Sequence, residues 1–140
     1  MSTVDLKVDD FEKTITDNPI VLVDFWAAWC GPCRQFAPVY DKLSDENPDI
    51  VFGKVDTDAE TELAAMAQIT SIPTLMAFRD GIAIFRQAGA LPAPALADLI
   101  AQIRAVDMDD VRAQIAAQEV AEADVATDVA DAEADTTEAK

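Results

Sequence analysis

The sequence contains no histidine and only two cysteines. Without histidine, the chain cannot be a Ser-His-Asp or Cys-His hydrolase, hold a His-ligated zinc ion or relay protons through imidazole. Two thiols are too few for the disulfide framework that stabilises small secreted domains. Residues 1–7 lack the basic start and apolar run of a signal peptide, and no segment reaches the roughly 18 apolar residues of a membrane-spanning helix. We therefore expect a cytoplasmic protein whose chemistry uses thiols, carboxylates or lysines.

Basic residues are also scarce, because 10 lysines and arginines stand against 27 aspartates and glutamates, which gives a net charge of −17. The resulting field repels phosphate backbones and anionic lipid surfaces. We therefore expect the chain to bind neither nucleic acid nor membranes.

The C-terminal residues 107–140 lack glycine, proline and aromatic residues and are rich in alanine. They contain 11 acidic and two basic residues, so they hold over half of the net charge. This bias predicts an acidic extension without its own core, helical over about 108–123 and then disordered, after a first domain spanning 1–106. Two hypotheses remain open for the extension: a solubilising segment, or a helix that docks on the domain or on a partner through Met108, Val111 and Ile115.

Residues 1–106 alternate between strand-like and helix-like patterns. The run from Ile20 to Phe25 is apolar on both alternating faces, which predicts a central strand buried on both sides. Asp80-Gly81 predicts a tight hairpin. The remaining patterns predict strands over 4–7, 50–56, 74–79 and 82–87, and helices from a cap at Asp9 or Asp10 to about 17, over 32–47, over 60–68 and from about 92. The order βαβαβαββα indicates an α/β fold with a mixed sheet flanked by helices on both faces.

The two cysteines lie three positions apart, where the buried strand ends and a helix begins. Pro32 suits the first turn of that helix, so Cys30 falls at its N-terminus. Free backbone N–H groups and the helix dipole stabilise a thiolate there, which makes Cys30 the expected nucleophile. Cys33, one turn later, can reach the Cys30 sulfur and resolve a mixed disulfide. This geometry supports thiol-disulfide exchange with no bound cofactor.

Asp24 interrupts the apolar run in which neighbours on both faces should be buried. Desolvation should raise its pKa and make it a proton acceptor for Cys33 near neutral pH. The alternative is a solvated carboxylate at the end of the strand. Lys54, on the neighbouring inner strand, either neutralises this carboxylate or is an ordinary solvated lysine.

The segment Val23-Asp24-Phe25-Trp26-Ala27-Ala28-Trp29-Cys30-Gly31-Pro32-Cys33 resembles the active-site signature of the thioredoxin family. Four further segments resemble that family in order and spacing: Lys54-Val55-Asp56, Ile72-Pro73-Thr74, Phe78-Arg79-Asp80-Gly81 and Gly89-Ala90. The resemblance covers about residues 4–106 and implies the thioredoxin fold and reduction of protein disulfides. It also implies electrons from NADPH through a thioredoxin reductase, so the implied partners are that reductase and disulfide-containing proteins. We expect the chain to be a monomer.

The resemblance further implies a cis peptide bond before Pro73, with that proline packed against the cysteine pair. Substrate polypeptide would lie on an apolar patch and form strand-like backbone hydrogen bonds at Ile72. That patch comprises Trp29, Gly31, Pro32, Ile72, Pro73, Gly89 and Ala90. Trp26 is interpreted as core packing beneath the site. Thr70-Ser71 departs from the commoner basic residue and glycine of the family and could alter substrate preference.

Three other functions are alternatives to disulfide reduction. An oxidase or isomerase on the same fold is less favoured, because Gly31-Pro32 adds no cationic side chain that would further stabilise the thiolate. A client-binding or chaperone module with secondary redox activity remains open because of the acidic extension. A structural metal site needs about four ligands, whereas the chain offers two thiols and no histidine.

Overall fold

The computed structural model describes residues 2–121 of the chain. The strands are β1 (Thr3–Asp5), β2 (Ile20–Trp26), β3 (Val51–Asp56), β4 (Thr74–Arg79) and β5 (Ile82–Ala88). The helices before residue 107 are α1 (Val8–Asp17), α2 (Gly31–Glu46), α3 (Thr61–Met66) and α4 (Ala93–Ala105). The predicted order βαβαβαββα is confirmed. Within the described residues, no helix is long and apolar enough to cross a membrane.

The five strands form one mixed sheet in the order β1-β3-β2-β4-β5. Strand β2 runs parallel to β3 and antiparallel to β4, so it is hydrogen-bonded on both sides. Its residues 21–25 are all buried, which confirms the prediction of a central strand. Asp24 therefore lies in the middle of the sheet, opposite Lys54 on β3 and Leu75 on β4.

Two apolar layers cover the two faces of the sheet, as the helix-strand alternation predicts. On one face, Leu22 of β2 packs with Phe36 and Tyr40 of α2 and with Leu96 of α4. The other layer joins β2 to α1 and α3 and comprises Leu6, Ile15, Val21, Val23, Phe25, Val55, Leu63 and Phe78. Because side chains alternate along a strand, Asp24 and Trp26 share the face of Leu22, which is the face covered by α2.

The hairpin between β4 and β5 turns at Asp80-Gly81, as predicted. Both residues have positive φ, 53° and 82°, which is the conformation of a type I′ turn. Arg79 pairs with Ile82 directly before the turn. Between Ala77 and Phe78 the register shifts by a bulge.

Three predicted boundaries are wrong by two or more residues. Strand β1 ends at Asp5, before the predicted residue 7. Helix α1 starts at Val8 with Lys7 as its N-cap, because the carboxylate of Asp10 accepts the Lys7 backbone N–H at 2.7 Å; neither Asp9 nor Asp10 is the cap. Helix α3 spans Thr61–Met66 and ends short of the predicted residue 68.

Close contacts divide the chain into two units, Met1–Val106 and Asp107–Lys140. In the second unit, residues 108–121 are helical. The Asp107 carboxylate caps this helix by accepting the backbone N–H groups of Asp109 at 3.0 Å and Asp110 at 3.3 Å. The predicted end of this helix near residue 123, and the disorder predicted after it, lie outside the described residues.

Candidate active site

Cys30 and Cys33 form a disulfide at the start of α2, with 5.2 Å between their Cα atoms. Cys30 is the N-cap residue of the helix, and Pro32 occupies its first turn. The backbone N–H of Cys33 donates to the Cys30 sulfur at 3.2 Å. The helix start thus supplies a hydrogen bond and its positive dipole end to the sulfur of Cys30.

The two cysteines are both buried, at 5% exposure for Cys30 and 3% for Cys33, but their surroundings differ. Cys30 lines an open groove on the protein surface, whereas Cys33 is not part of its lining. Trp29, directly before the pair, is 67% exposed. A second disulfide can therefore approach the pair from the side of Cys30.

The Ile72-Pro73 peptide bond is cis, as the family resemblance implies. The carbonyl oxygen of Ile72 lies 3.7 Å from the Cys30 sulfur, so this loop closes over the disulfide. Two hydrogen bonds hold the loop: Gly89 N–H donates to the Pro73 carbonyl at 2.8 Å, and the Thr74 hydroxyl donates to the Ser71 carbonyl at 2.6 Å. The loop thus brings Ile72 to Cys30 and Gly89 to Pro73.

The groove beside Cys30 has a volume of about 480 Å³. Its lining consists of Trp29, Cys30, Gly31, Pro32, Thr57, Ala64, Ile69, Thr70, Ser71 and Ile72. Four residues of the predicted substrate patch are therefore in its wall, whereas Pro73, which is buried, and Gly89 and Ala90, which are exposed, are not.

The groove also contains residues that sequence reasoning missed. No sequence signal assigned Thr57, Ala64 or Ile69 to the site, because only tertiary packing brings them to the groove. Thr70-Ser71 was noticed as a departure from the family, and both residues are in the wall. The ten lining residues, all within the described part of the chain, include no charged side chain. The groove is therefore a neutral surface on a strongly acidic protein.

Asp24 is 1% exposed, which excludes the alternative of a solvated carboxylate. Among the described residues, neither of its carboxylate oxygens has a hydrogen-bond partner. Burial raises the pKa of Asp24 to about 7, while the charge of Lys54 opposes this increase and the charge of Asp41 adds to it. The expected direction and cause of the pKa shift are both confirmed.

Lys54 is half-buried and pairs in register with Asp24 across β2 and β3, so its charge acts on the carboxylate. Its ammonium group is 4.9 Å from the centre of the Trp26 ring, within the range of a cation–π interaction. Trp26 also packs against the two cysteines and Ala27. The indole therefore separates the lysine from the disulfide and packs beneath the site, as interpreted from the sequence.

Within residues 2–121, no group of three acidic or cysteine side chains is arranged to hold a metal ion.

The thioredoxin family model matches residues 2–102. The chain belongs to the thioredoxin family. It is 58% identical over 118 residues to "Putative thioredoxin 2" of Streptomyces coelicolor, covering 84% of this chain and 88% of that protein. It is 45% identical over 92 residues to thioredoxin 1 of Synechococcus elongatus, covering 64% and 86% of the two chains. Among solved structures, Plasmodium falciparum thioredoxin superposes with a TM-score of 0.66 at 36% identity, over 71% of this chain and 97% of that one.

Thioredoxins are thiol-disulfide oxidoreductases that need no bound cofactor. The family match and the Cys30-Cys33 pair together identify this thioredoxin as a dithiol-disulfide redox carrier. The disulfide described above is the oxidised form of that carrier.

Proposed function

We propose that this thioredoxin reduces protein disulfides with Cys30 as the nucleophile and Cys33 as the resolving cysteine. The observation that carries this assignment is that the groove reaches Cys30 and not Cys33. The position of Cys30 as the N-cap of α2, where it accepts the Cys33 N–H, supports the same assignment because it favours a thiolate.

The reaction proceeds by two exchanges. The Cys30 thiolate attacks one sulfur of the substrate disulfide, which breaks the substrate S–S bond, forms a mixed disulfide and releases the first substrate thiolate. The Cys33 thiol then loses its proton and attacks the Cys30 sulfur. This second exchange forms the Cys30-Cys33 disulfide and releases the second substrate thiolate. The substrate gains two electrons and two protons and becomes a dithiol. The cysteine pair loses two electrons and two protons and becomes a disulfide.

Asp24 accepts the proton of Cys33 in this mechanism. With a pKa raised to about 7, the buried carboxyl group exchanges protons near neutral pH, whereas an ordinary aspartate would stay ionised. Asp24 and Trp26 share the face of β2 covered by α2, and Trp26 contacts the cysteines. Lys54 supports this role because its positive charge limits the rise of the Asp24 pKa.

Substrate polypeptide occupies the neutral groove between Trp29 and Ile72. We expect the backbone of Ile72 to pair with an extended substrate segment, because Ile72 lies in the groove wall beside Cys30, two positions before the start of β4. Pro73 supports the loop from below. Gly89 and Ala90 lie outside the groove wall and extend the patch beyond Pro73, to which Gly89 is hydrogen-bonded.

The oxidised pair must be reduced again, and we propose a thioredoxin reductase that supplies electrons from NADPH.

The site residues lie between 24 and 90, so residues 1–106 form the redox domain and 107–140 form an acidic extension. We propose that the protein acts as a monomer in the cytoplasm, where thiols are kept reduced.

Substitution of each cysteine tests the assignment. With a protein disulfide as substrate and excess dithiothreitol as electron donor, Cys30→Ser should abolish turnover. Cys33→Ser, reduced beforehand and then freed of dithiothreitol, should accumulate a covalent mixed disulfide with the substrate, which mass spectrometry detects. Equal behaviour of the two variants would contradict the assigned roles.

Asp24→Asn tests the proton acceptor separately. This variant should form the mixed disulfide at a normal rate and resolve it more slowly near neutral pH, because the amide takes up no proton. Rapid-quench measurement of the two steps separates them. An unchanged rate of resolution would remove Asp24 from the mechanism.

A further inference from the structure

Helix α3 ends in a turn that leads directly into residues 69–72 of the groove wall. The backbone N–H of Ile69 donates to the Ala64 carbonyl, and that of Gln68 donates to the Ala65 carbonyl, both at 3.0 Å. Gln68 has a φ of 56°, so these bonds form a Schellman motif with a glutamine in the left-handed position. Glycine is the residue that usually occupies this position without steric cost. The turn that leads into the groove therefore needs support from elsewhere in the fold.

Arg86 of the edge strand β5 supplies that support. Its Nη1 donates to the carbonyl of Ala67 and its Nη2 to the carbonyl of Gln68. Carbonyl groups in the last turn of a helix have no partner within the helix. The rigid fork of a guanidinium group can bind two adjacent carbonyls together, which the single ammonium group of a lysine cannot do with parallel donors.

The segment that follows Gln68 forms one wall of the groove, through Ile69, Thr70, Ser71 and Ile72. Its far end is held by the Thr74 hydroxyl, which donates to the Ser71 carbonyl. Its near end is held by Arg86 through the two carbonyls at the end of α3. The wall is thus fixed at both ends, and Arg86 is outside the groove lining.

We propose that Arg86 is a positioning residue that sets the orientation of this wall and thereby the affinity for polypeptide disulfides. The inference rests on the proposed binding of substrate along Ile72. Arg86 does not touch the cysteines or the substrate, so its loss should weaken substrate binding without changing the exchange steps. A tilt of the wall would misalign the backbone groups of Ile72 that pair with substrate, and this effect would be absent for a small disulfide that needs no such pairing.

The test compares Arg86→Met with Lys42→Met, which removes the same charge from an exposed site on α2. We expect the KM for a protein disulfide to rise about threefold to tenfold in Arg86→Met with little change in kcat, because two hydrogen bonds that hold the wall are lost. Reduction of a small aromatic disulfide and the KM of Lys42→Met should stay close to wild type. Equal KM values in the two variants would overturn the proposal.

Two further variants separate positioning from stability. Arg86→Lys keeps the charge but loses the fork, so its KM should also rise; a wild-type KM would overturn the proposal. Gln68→Gly added to Arg86→Met should restore the melting temperature, because glycine adopts the left-handed conformation freely, but not the KM. Restoration of both values would make Arg86 a stabiliser of the helix end only, and the proposal would fall.

Trp29→Ala distinguishes this inference from the function on which it rests. If Trp29→Ala raises the KM and Arg86→Met does not, the groove binds substrate but Arg86 does not position its wall. If neither variant raises the KM, substrate does not use the groove, and the proposed binding site fails as well.

Discussion

Replacement of Asp24 by asparagine should remove a pH dependence of stability that this carboxyl group imposes on the fold. Burial raises the pKa of Asp24 from 3.8 to about 7. Between these values the folded state holds a proton that the unfolded state has lost, so the free energy of unfolding falls as the pH rises. The stabilisation by the protonated Asp24 carboxyl group is fully present below about pH 3.8. The free energy of unfolding is lower by about 4 kcal/mol once the pH exceeds about 7.

An asparagine at this position cannot ionise, so it contributes no such slope. Its amide would still lack partners in the sheet, at a cost of about 1–3 kcal/mol that applies equally at every pH. The quantity to compare is therefore the change with pH in the stability difference between variant and wild type. From about pH 5 to about pH 8 this difference should shift by about 3 kcal/mol in favour of Asp24→Asn.

Urea unfolding of the oxidised proteins measures this shift, because neither cysteine titrates while the disulfide is intact. Asp17→Asn is the matched control, since it removes one carboxylate from an exposed position on α1 and should change the pH dependence far less. A stability difference between Asp24→Asn and wild type that stays constant across this pH range would refute the reasoning. It would mean that the buried carboxyl group keeps an ordinary affinity for protons.

Two other perturbations have defined outcomes. Gly53→Ala should lower the free energy of unfolding by about 1–3 kcal/mol in urea, because its Cβ would overlap the buried Leu6 side chain; unchanged stability would show that Leu6 moves freely. Deletion of residues 107–140 should leave protein-disulfide reduction intact, because the site lies between residues 24 and 90. If truncation lowers both the rate at which the reductase reduces the protein and its melting temperature, the result would instead support docking of the extension.

The predictable parts of the fold are those that local sequence patterns determine. The apolar run around Asp24 placed a buried strand at the centre of the sheet, and Asp80-Gly81 placed the hairpin. The carboxylate was identified because a charge within such a run has no solvent on either face. The cysteine spacing and Pro32 predict the cysteine pair at a helix start from local sequence alone.

Other features depend on contacts between distant segments, which no local pattern contains. The end of α3 was predicted too late because its turn uses a glutamine, Gln68, where a glycine would have been a signal. Arg86 follows it by 18 positions on an exposed edge strand, where an arginine is ordinary. Thr57 and Ala64 reach the groove only through the packing of α3.

The two tryptophans of the chain both lie beside the disulfide. Trp29 is exposed at the mouth of the groove, and Trp26 packs against the cysteines under the ammonium group of Lys54. Tryptophan emission from this protein therefore originates entirely at its active site. Tryptophan fluorescence should therefore report on the site directly. Trp29 would respond to substrate that enters the groove, and Trp26 to changes at the cysteines and at the Lys54 ammonium group.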